Sequence, residues 1–407
     1  MPSSQIPNLN YATDYQQALE QAFPYALYFG KLYSTTNNGR FKWVNSKTIE
    51  IPSISTTGRT NADRDSISTA QRNYNNSWET KTLVNERKWS TLVHPKDIDQ
   101  TNMAASIANI TQTFNEEHKF PEMDAYTISK IYYDWSHSVA GDAAHEAYVG
   151  HTPDTTDLTI NNILSVFDSM MLKMDNKRVP VTGRILYVTN EVKTLLKNAA
   201  NLQRNWDVQS GDDVINRVVN RLDEVEVIGV PAELMKTLYD FSDVNGWAPD
   251  PLAKQINMCL ILPTAVITPV SYTFSKLDAP SAITEGKYYY YEESFEDVFI
   301  LNKKADAIQF NVSTPVTAGL TVNSVAGTTS GKTKITVTPA KGKDNSYKYA
   351  TGATVDVPEV GADCSSMTTW DGTSDITATS GNKIVIVEVN SDGLALKSGV
   401  AVVASRT

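Results

Sequence analysis

Three segments of this chain carry residue types that could do chemistry, and each lacks a part its chemistry requires. Ala326–Thr333 reads AGTTSGKT, a loose match to a phosphate-binding loop with Ala in place of the first Gly. Such a loop needs a strand before it and a helix after it, because the helix N-terminus and backbone N–H groups hold the phosphates. The residues that follow are KITVTPA, an alternating strand pattern ending in Pro339, so the match reads as a Ser/Thr/Gly-rich turn. All five histidines lie between His94 and His151, and His137, His145 and His151 share a segment with Asp134, Asp142 and Glu146. No pair has the i, i+4 or tight Cys/His spacing of a zinc site, so solvated histidines in a polar connector are expected. Cys259 sits in the apolar run NMCLIL and Cys364 in the loop-like GADCSS; such unlike settings argue against a disulfide and fit a reducing cytosol. The chain has no GxSxG, HExxH, CxxC or GxGxxG motif. No catalytic residue, cofactor site or metal site is assigned, and an enzyme is not expected.

Composition points the same way. At ~150 residues per domain, 407 residues make two or three domains, and 41% hydrophobic with 20% charged residues excludes a disordered chain. The net charge of −10 opposes tight nucleic-acid binding, which draws its affinity from Lys and Arg displacing counterions. The longest apolar run, Met258–Val270, is broken by Pro263, Thr264, Thr268 and Pro269 and falls short of the ~18 residues of a membrane span. The amino terminus lacks a basic start followed by an apolar stretch, so a signal peptide is not expected.

The chain changes character near Ser313. Residues 313–407 hold 10 of the 20 glycines, 27 Ser and Thr, no Phe and no His, and their 8 basic and 8 acidic residues cancel. Short β-patterned runs at Thr333–Thr338, Lys383–Val389 and Gly399–Val403, separated by turn residues, predict a small all-β sandwich or barrel. Residues 1–312 carry the whole charge of −10. Within them, residues 1–45 read as an extended arm, and Lys47–Ile54 and Trp78–Val84 as strands. The polar stretch Ser55–Ser77 between those strands makes a long protruding hairpin. Met103, Ile107, Ile110 and Phe114 are spaced as one apolar helix face and should pack as core. Pro121 either kinks that helix or separates two. From Thr156 to Val270 the pattern is mixed: helices at Ile160–Met171, Glu191–Ala200 and Asp213–Leu222, and strands at Arg184–Val188, Val225–Val230 and Gln255–Leu262. Lys287–Phe310 is aromatic and β-branched and should be buried on both faces.

The hairpin tip carries Arg59, Arg64 and Arg72 beside Asp63 and Asp65. A protrusion that buries nothing in its own subunit loses entropy on ordering, so a neighbour should order it. The arm carries Tyr11, Tyr15, Phe23, Tyr25, Tyr28, Phe29 and Tyr33, residue types favoured as interface anchors. Arg59, Arg64, Arg72, Trp78, Tyr15, Phe23 and Tyr28 are the candidate inter-subunit contacts.

In this order the parts resemble the major capsid proteins of tailed bacteriophages with the Hong Kong 97-type fold, over residues 1–312. HPKDIDQTN resembles the acidic lead-in to the family's spine helix. GRILYVTNEVKTLLKNA, RLDEVEVIGVPAELMKT and AKQINMCLILPTAVITPV resemble axial-domain segments, and GKYYYYEESFEDVFILNKKADAIQFNV resembles the return into the peripheral domain. The resemblance implies an α+β shell domain at 46–312, with the E-loop at about 47–93, the spine helix at about 97–135, the axial domain at about 156–270 and the peripheral return at about 271–312. Residues 313–407 resemble the immunoglobulin-like modules that some phages carry on the capsid exterior. The implied function is self-assembly into hexamers and pentamers of an icosahedral virion shell around double-stranded DNA, contacted only weakly. The implied partners are copies of the chain, scaffolding and portal proteins, and host-surface or mucosal glycans at the outer module. No lysine lies between Lys47 and Lys81, which argues against an E-loop crosslink, and the short arm implies a separate scaffold. The alternative is a surface binding protein with an oligomeric base and a β-sandwich recognition module.

Overall fold

The computed structural model describes residues 27–59, 72–100, 106–136, 151–199, 219–242, 246–313 and 317–406. Its largest core is built on a five-stranded sheet. The strands run Ile308–Ser313, Gln255–Ile261, Ile185–Thr189, Val225–Val230 and Arg221–Leu222 in spatial order. All neighbours are antiparallel except Ile185–Thr189 beside Val225–Val230. The strand Ile185–Thr189 is buried at every residue, as a continuous apolar run covered on both faces should be. One hydrophobic cluster joins these strands to Ile163, Phe167, Met170 and Met174 of the helix Ile163–Asn176, and to Val192 and Leu196 of the helix Asn190–Asn198. Thr189 ends its strand and caps the second of these helices, its Oγ1 accepting from the Val192 N–H at 3.3 Å.

The spine is continuous from Ile107 to Ser136, but its middle turn is widened. Ser106 caps the helix Ile107–Phe114 by accepting from the Asn109 N–H. A π-helical turn spans Asn115–Lys119, and the helix Phe120–Ser136 follows. The Phe120 N–H reaches back to the Asn115 carbonyl. Pro121 lacks an N–H and its ring would clash with a carbonyl of the preceding turn; the wider turn relieves that clash without ending the helix. The burial differs from the expectation. Ile107–Phe114 has no buried residue, whereas Ala125, Ile128, Ile131 and Trp135 in the later helix are core.

Two smaller sheets flank the spine. Thr48–Thr56 pairs with Tyr74–Thr82 along nine positions, with Lys42–Trp43 on the other side. Glu86–Val93, Tyr288–Glu296 and Val270–Asp278 form the other, with Tyr288–Glu296 in the centre. Tyr288–Tyr291 is therefore half-exposed rather than buried on both faces. The Tyr290 and Tyr291 hydroxyls donate to Glu292 and Glu293. Val298–Ile300 and Ile308–Val312 do meet the expectation of burial. Arg221–Leu222 is a short strand, not a helix end, because Asp223 at φ 51° turns the chain back into Val225–Val230. Among the described residues no helix is long and apolar enough to cross a membrane.

Residues 317–406 form a β-sandwich. One sheet orders Thr321–Ala326, Lys332–Thr338 and Ile376–Thr377; the other orders Thr368–Trp370, Ser346–Gly352, Lys383–Val389 and Ala395–Val402. Ile384 and Ile386 face the core shared with Ile335, Tyr347 and Trp370, while Val385, Val387 and Val389 pack with Cys364 and Ala395. Both faces of that strand are covered, which explains its unbroken apolar sequence. The sheets meet closely where Gly399 passes Leu320: a Cβ at Gly399 would lie 2.2 Å from the Leu320 carbonyl oxygen. Gly399→Ala should destabilise the sandwich by about 1–3 kcal/mol through forced backbone movement, read as a lower urea midpoint; an unchanged midpoint would contradict this packing.

Candidate assembly interface

The phosphate-loop match falls in a hairpin turn. Ala326 ends one strand, Lys332 opens the next, and Thr328 is held by Asp375 through its N–H and hydroxyl, so no helix N-terminus faces the loop. His151 lies against Trp135 and 3.3 Å from Asp306. His137 and His145 lie outside the described residues, among which no group of three metal-ligating side chains occurs. Cys259 is in the central sheet, where burial pushes its thiol up, and Cys364 is in the sandwich.

The hairpin is anchored at its base and open beyond it. Ile49 and Leu83 are buried with Ile267, Phe295 and Phe299. Lys81, 7% exposed, pairs with Glu79 at 2.9 Å and donates to Asn302 Oδ1 at 3.0 Å. Further out, Ile54, Tyr74 and Trp78 are 66%, 57% and 50% exposed, a run of large apolar side chains left largely in solvent. Arg59 is exposed, and the Arg72 guanidinium lies 5.9 Å over the Tyr74 ring. Arg64, Tyr15 and Phe23 lie outside the described residues. Tyr28 is packed against the subunit's own core, and its backbone N–H, with that of Phe29, donates to Asp124.

Sequence reasoning missed a cavity of about 440 Å³ between the spine and the three-stranded sheet. Trp89 and Phe114 stack at 3.9 Å and 7° on its wall, and Tyr126 and Trp247 also line it. Arg87 pairs with Glu122 at 2.6 Å, and Lys119 with Glu292 at 3.0 Å. Glu296 lines the same cavity. Burial outweighs the nearby Lys119 ammonium and raises the Glu296 carboxyl above its ordinary range. Its neighbour Asp297 accepts from the Val84 N–H (2.9 Å), the Val298 N–H (2.8 Å) and the Tyr126 hydroxyl (2.8 Å), yet burial raises its carboxyl as well. The signal available in the sequence was the acidic run Glu292–Asp297 within an aromatic strand.

A family model of the S-layer protein SbsC C-terminal domain matches residues 325–405. No curated protein matches the sequence. Among solved structures, the mature capsid of bacteriophage PhiM1 is similar at 12% identity and a TM-score of 0.54, over 75% of this chain and 92% of that one. The capsid of the Cyanophage P-SCSP1u is similar at 10% identity and a TM-score of 0.53, over 74% and 92%. At such identities the likeness speaks for the fold: this is the α+β Hong Kong 97-type capsid fold expected from the sequence, joined to a β-module.

A folded-state pKa above the unfolded one means that the native state keeps its proton longer, so stability falls as pH rises from the ordinary carboxylate value through the raised one. Glu296→Gln removes that slope. The variant should gain stability relative to the parent as pH rises from ~4 to ~7 and be no less stable at neutral pH. Urea unfolding across that range checks this; a variant less stable at neutral pH would show that the carboxylate has a stabilising partner.

Proposed function

We propose that this chain is the major capsid subunit of a tailed bacteriophage, assembling into hexamers and pentamers of an icosahedral virion shell around double-stranded DNA. The observation that carries the reading is the shared fold with two phage capsids at TM-scores above 0.5, together with a hairpin whose outer half leaves Ile54, Tyr74 and Trp78 in solvent. Apolar side chains grouped on a protrusion fit an interface core. Summed weak contacts between identical copies then close a shell. Arg59, Arg64, Arg72 and Trp78, with Tyr15 and Phe23 of the arm, are the proposed contacts; Tyr28 is packed within its own subunit. The acidic shell region suits a container that must release DNA, since it gives phosphates little to hold. Scaffolding and portal proteins are the further partners this role requires.

Residues 313–407 fit an immunoglobulin-like module on the shell exterior. The support is its pairing of a three-stranded with a four-stranded antiparallel sheet. A glycan-bearing surface is the proposed partner of that module. The S-layer family match at residues 325–405 favours a second reading, a surface binding protein on an oligomeric base.

Electron microscopy and light scattering of the purified protein separate the two. Closed shells or capsomer rings are expected, with and without residues 314–407, since their removal leaves the strand Ile308–Ser313 whole. A monodisperse monomer at high concentration, even with a co-expressed scaffold, would overturn the capsid reading. A folded truncation that no longer forms particles would overturn the peripheral role of the module.

A further inference from the structure

The cavity beside the spine is lined by four carboxylates, Glu122, Glu292, Glu293 and Glu296, against Arg87, Lys88 and Lys119. Arg87 is engaged by Glu122 and by the Phe241 carbonyl at 2.9 Å, and Lys119 by Glu292. Glu292 also receives the Tyr290 hydroxyl at 2.9 Å. The Glu296 side chain has no hydrogen bond or ion pair among the described residues, although it lines the cavity together with the rings of Trp89, Phe114, Tyr126 and Trp247. A half-buried carboxylate that makes no hydrogen bond and shares the Lys119 ammonium with Glu292 is costly to keep. Aromatic faces around it attract cations, and a planar guanidinium can stack on a ring while bonding a carboxylate in two places. The volume of about 440 Å³ falls at the small end of ligand pockets and suits one side chain with its stem.

We propose that this cavity receives an arginine side chain from the hairpin of a second copy of the chain, with Glu296 as its counter-ion. This deepens the assembly reading and rests on it for the source of the arginine. A second copy of the chain supplies the complementary charge. Arg59 and Arg72 are exposed at the open end of the hairpin and form no ion pair among the described residues, while the cavity holds one carboxylate too many. The hairpin is anchored at its base by Lys81, Glu79 and Asn302.

The test is calorimetric titration of the full-length dispersed subunit with a synthetic peptide of residues 56–74, and with the same peptide carrying glutamine at all three arginine positions. The arginine peptide should bind one-to-one. Glu296→Gln should weaken it by about tenfold or more, the loss expected for one charge-assisted contact, and the glutamine peptide should lose as much. Trp247→Leu, which leaves the charges intact, should weaken binding in the same direction. Absence of binding, or binding indifferent to Glu296 and to the arginines, overturns the proposal. Light scattering of the unaltered subunit reports the shell separately. Shells without peptide binding sink the receptor alone; Glu296-dependent binding without shells keeps the receptor and sinks the shell.

Discussion

Asp297 is the junction on which the α+β part of the chain depends. It is 2% exposed and ties three elements with one carboxylate: the hairpin base through the Val84 N–H, the spine through the Tyr126 hydroxyl, and its own strand through the Val298 N–H. A buried carboxylate costs several kcal/mol on the order of a full desolvation penalty unless such donors surround it. Even with three donors, burial wins and the carboxyl is raised. That balance makes the junction specific rather than strongly stabilising, because losing any donor leaves a buried charge under-compensated. Asp124, fully buried on the spine, plays the matching part for the backbone at Tyr28 and Phe29. Two acids thus fix what meets the spine, one on the hairpin side and one on the arm side.

The functional surface follows from that fixing. With its base clamped by Asp297 and by the Ile49, Leu83 and Phe295 cluster, the hairpin can hold Ile54, Tyr74 and Trp78 in solvent without folding back. The cavity opens beside the same junction, since Glu296 precedes Asp297 and Tyr126 borders both. The proposed donor protrusion and acidic receptor lie on one chain, so each copy would offer both halves of the proposed contact.

How far the sequence could be read depended on how local the determining physics was. Val225–Val230 has the bounds its apolar pattern predicts, and Gln255–Ile261 ends one residue early where Pro263 opens a 3-10 turn. Buried β-branched runs announce themselves. Glu86–Val93 was not read as a strand: it alternates strictly between exposed and covered residues in the structure, but its covered positions include Arg87 and Thr91, and its partner, the strand Tyr288–Glu296, lies some 200 residues on, where pairing leaves no local mark. The π turn at Asn115–Lys119 depends on relieving Pro121, a geometric outcome that helix periodicity does not encode. The hairpin arginines and Trp78 could be named from composition. The receptor could not, since Trp89, Phe114, Glu122, Trp247 and Glu296 come together only through tertiary packing.

The most direct measurement of the central claim is amide hydrogen exchange of Thr48–Thr56 and Tyr74–Thr82 in dispersed subunits and in assembled material. If the hairpin is ordered by a neighbour, its outer half should exchange quickly in the subunit and become protected on assembly, while Ile185–Thr189 is protected in both. Unchanged exchange in the hairpin on assembly would contradict its role as the contact between copies.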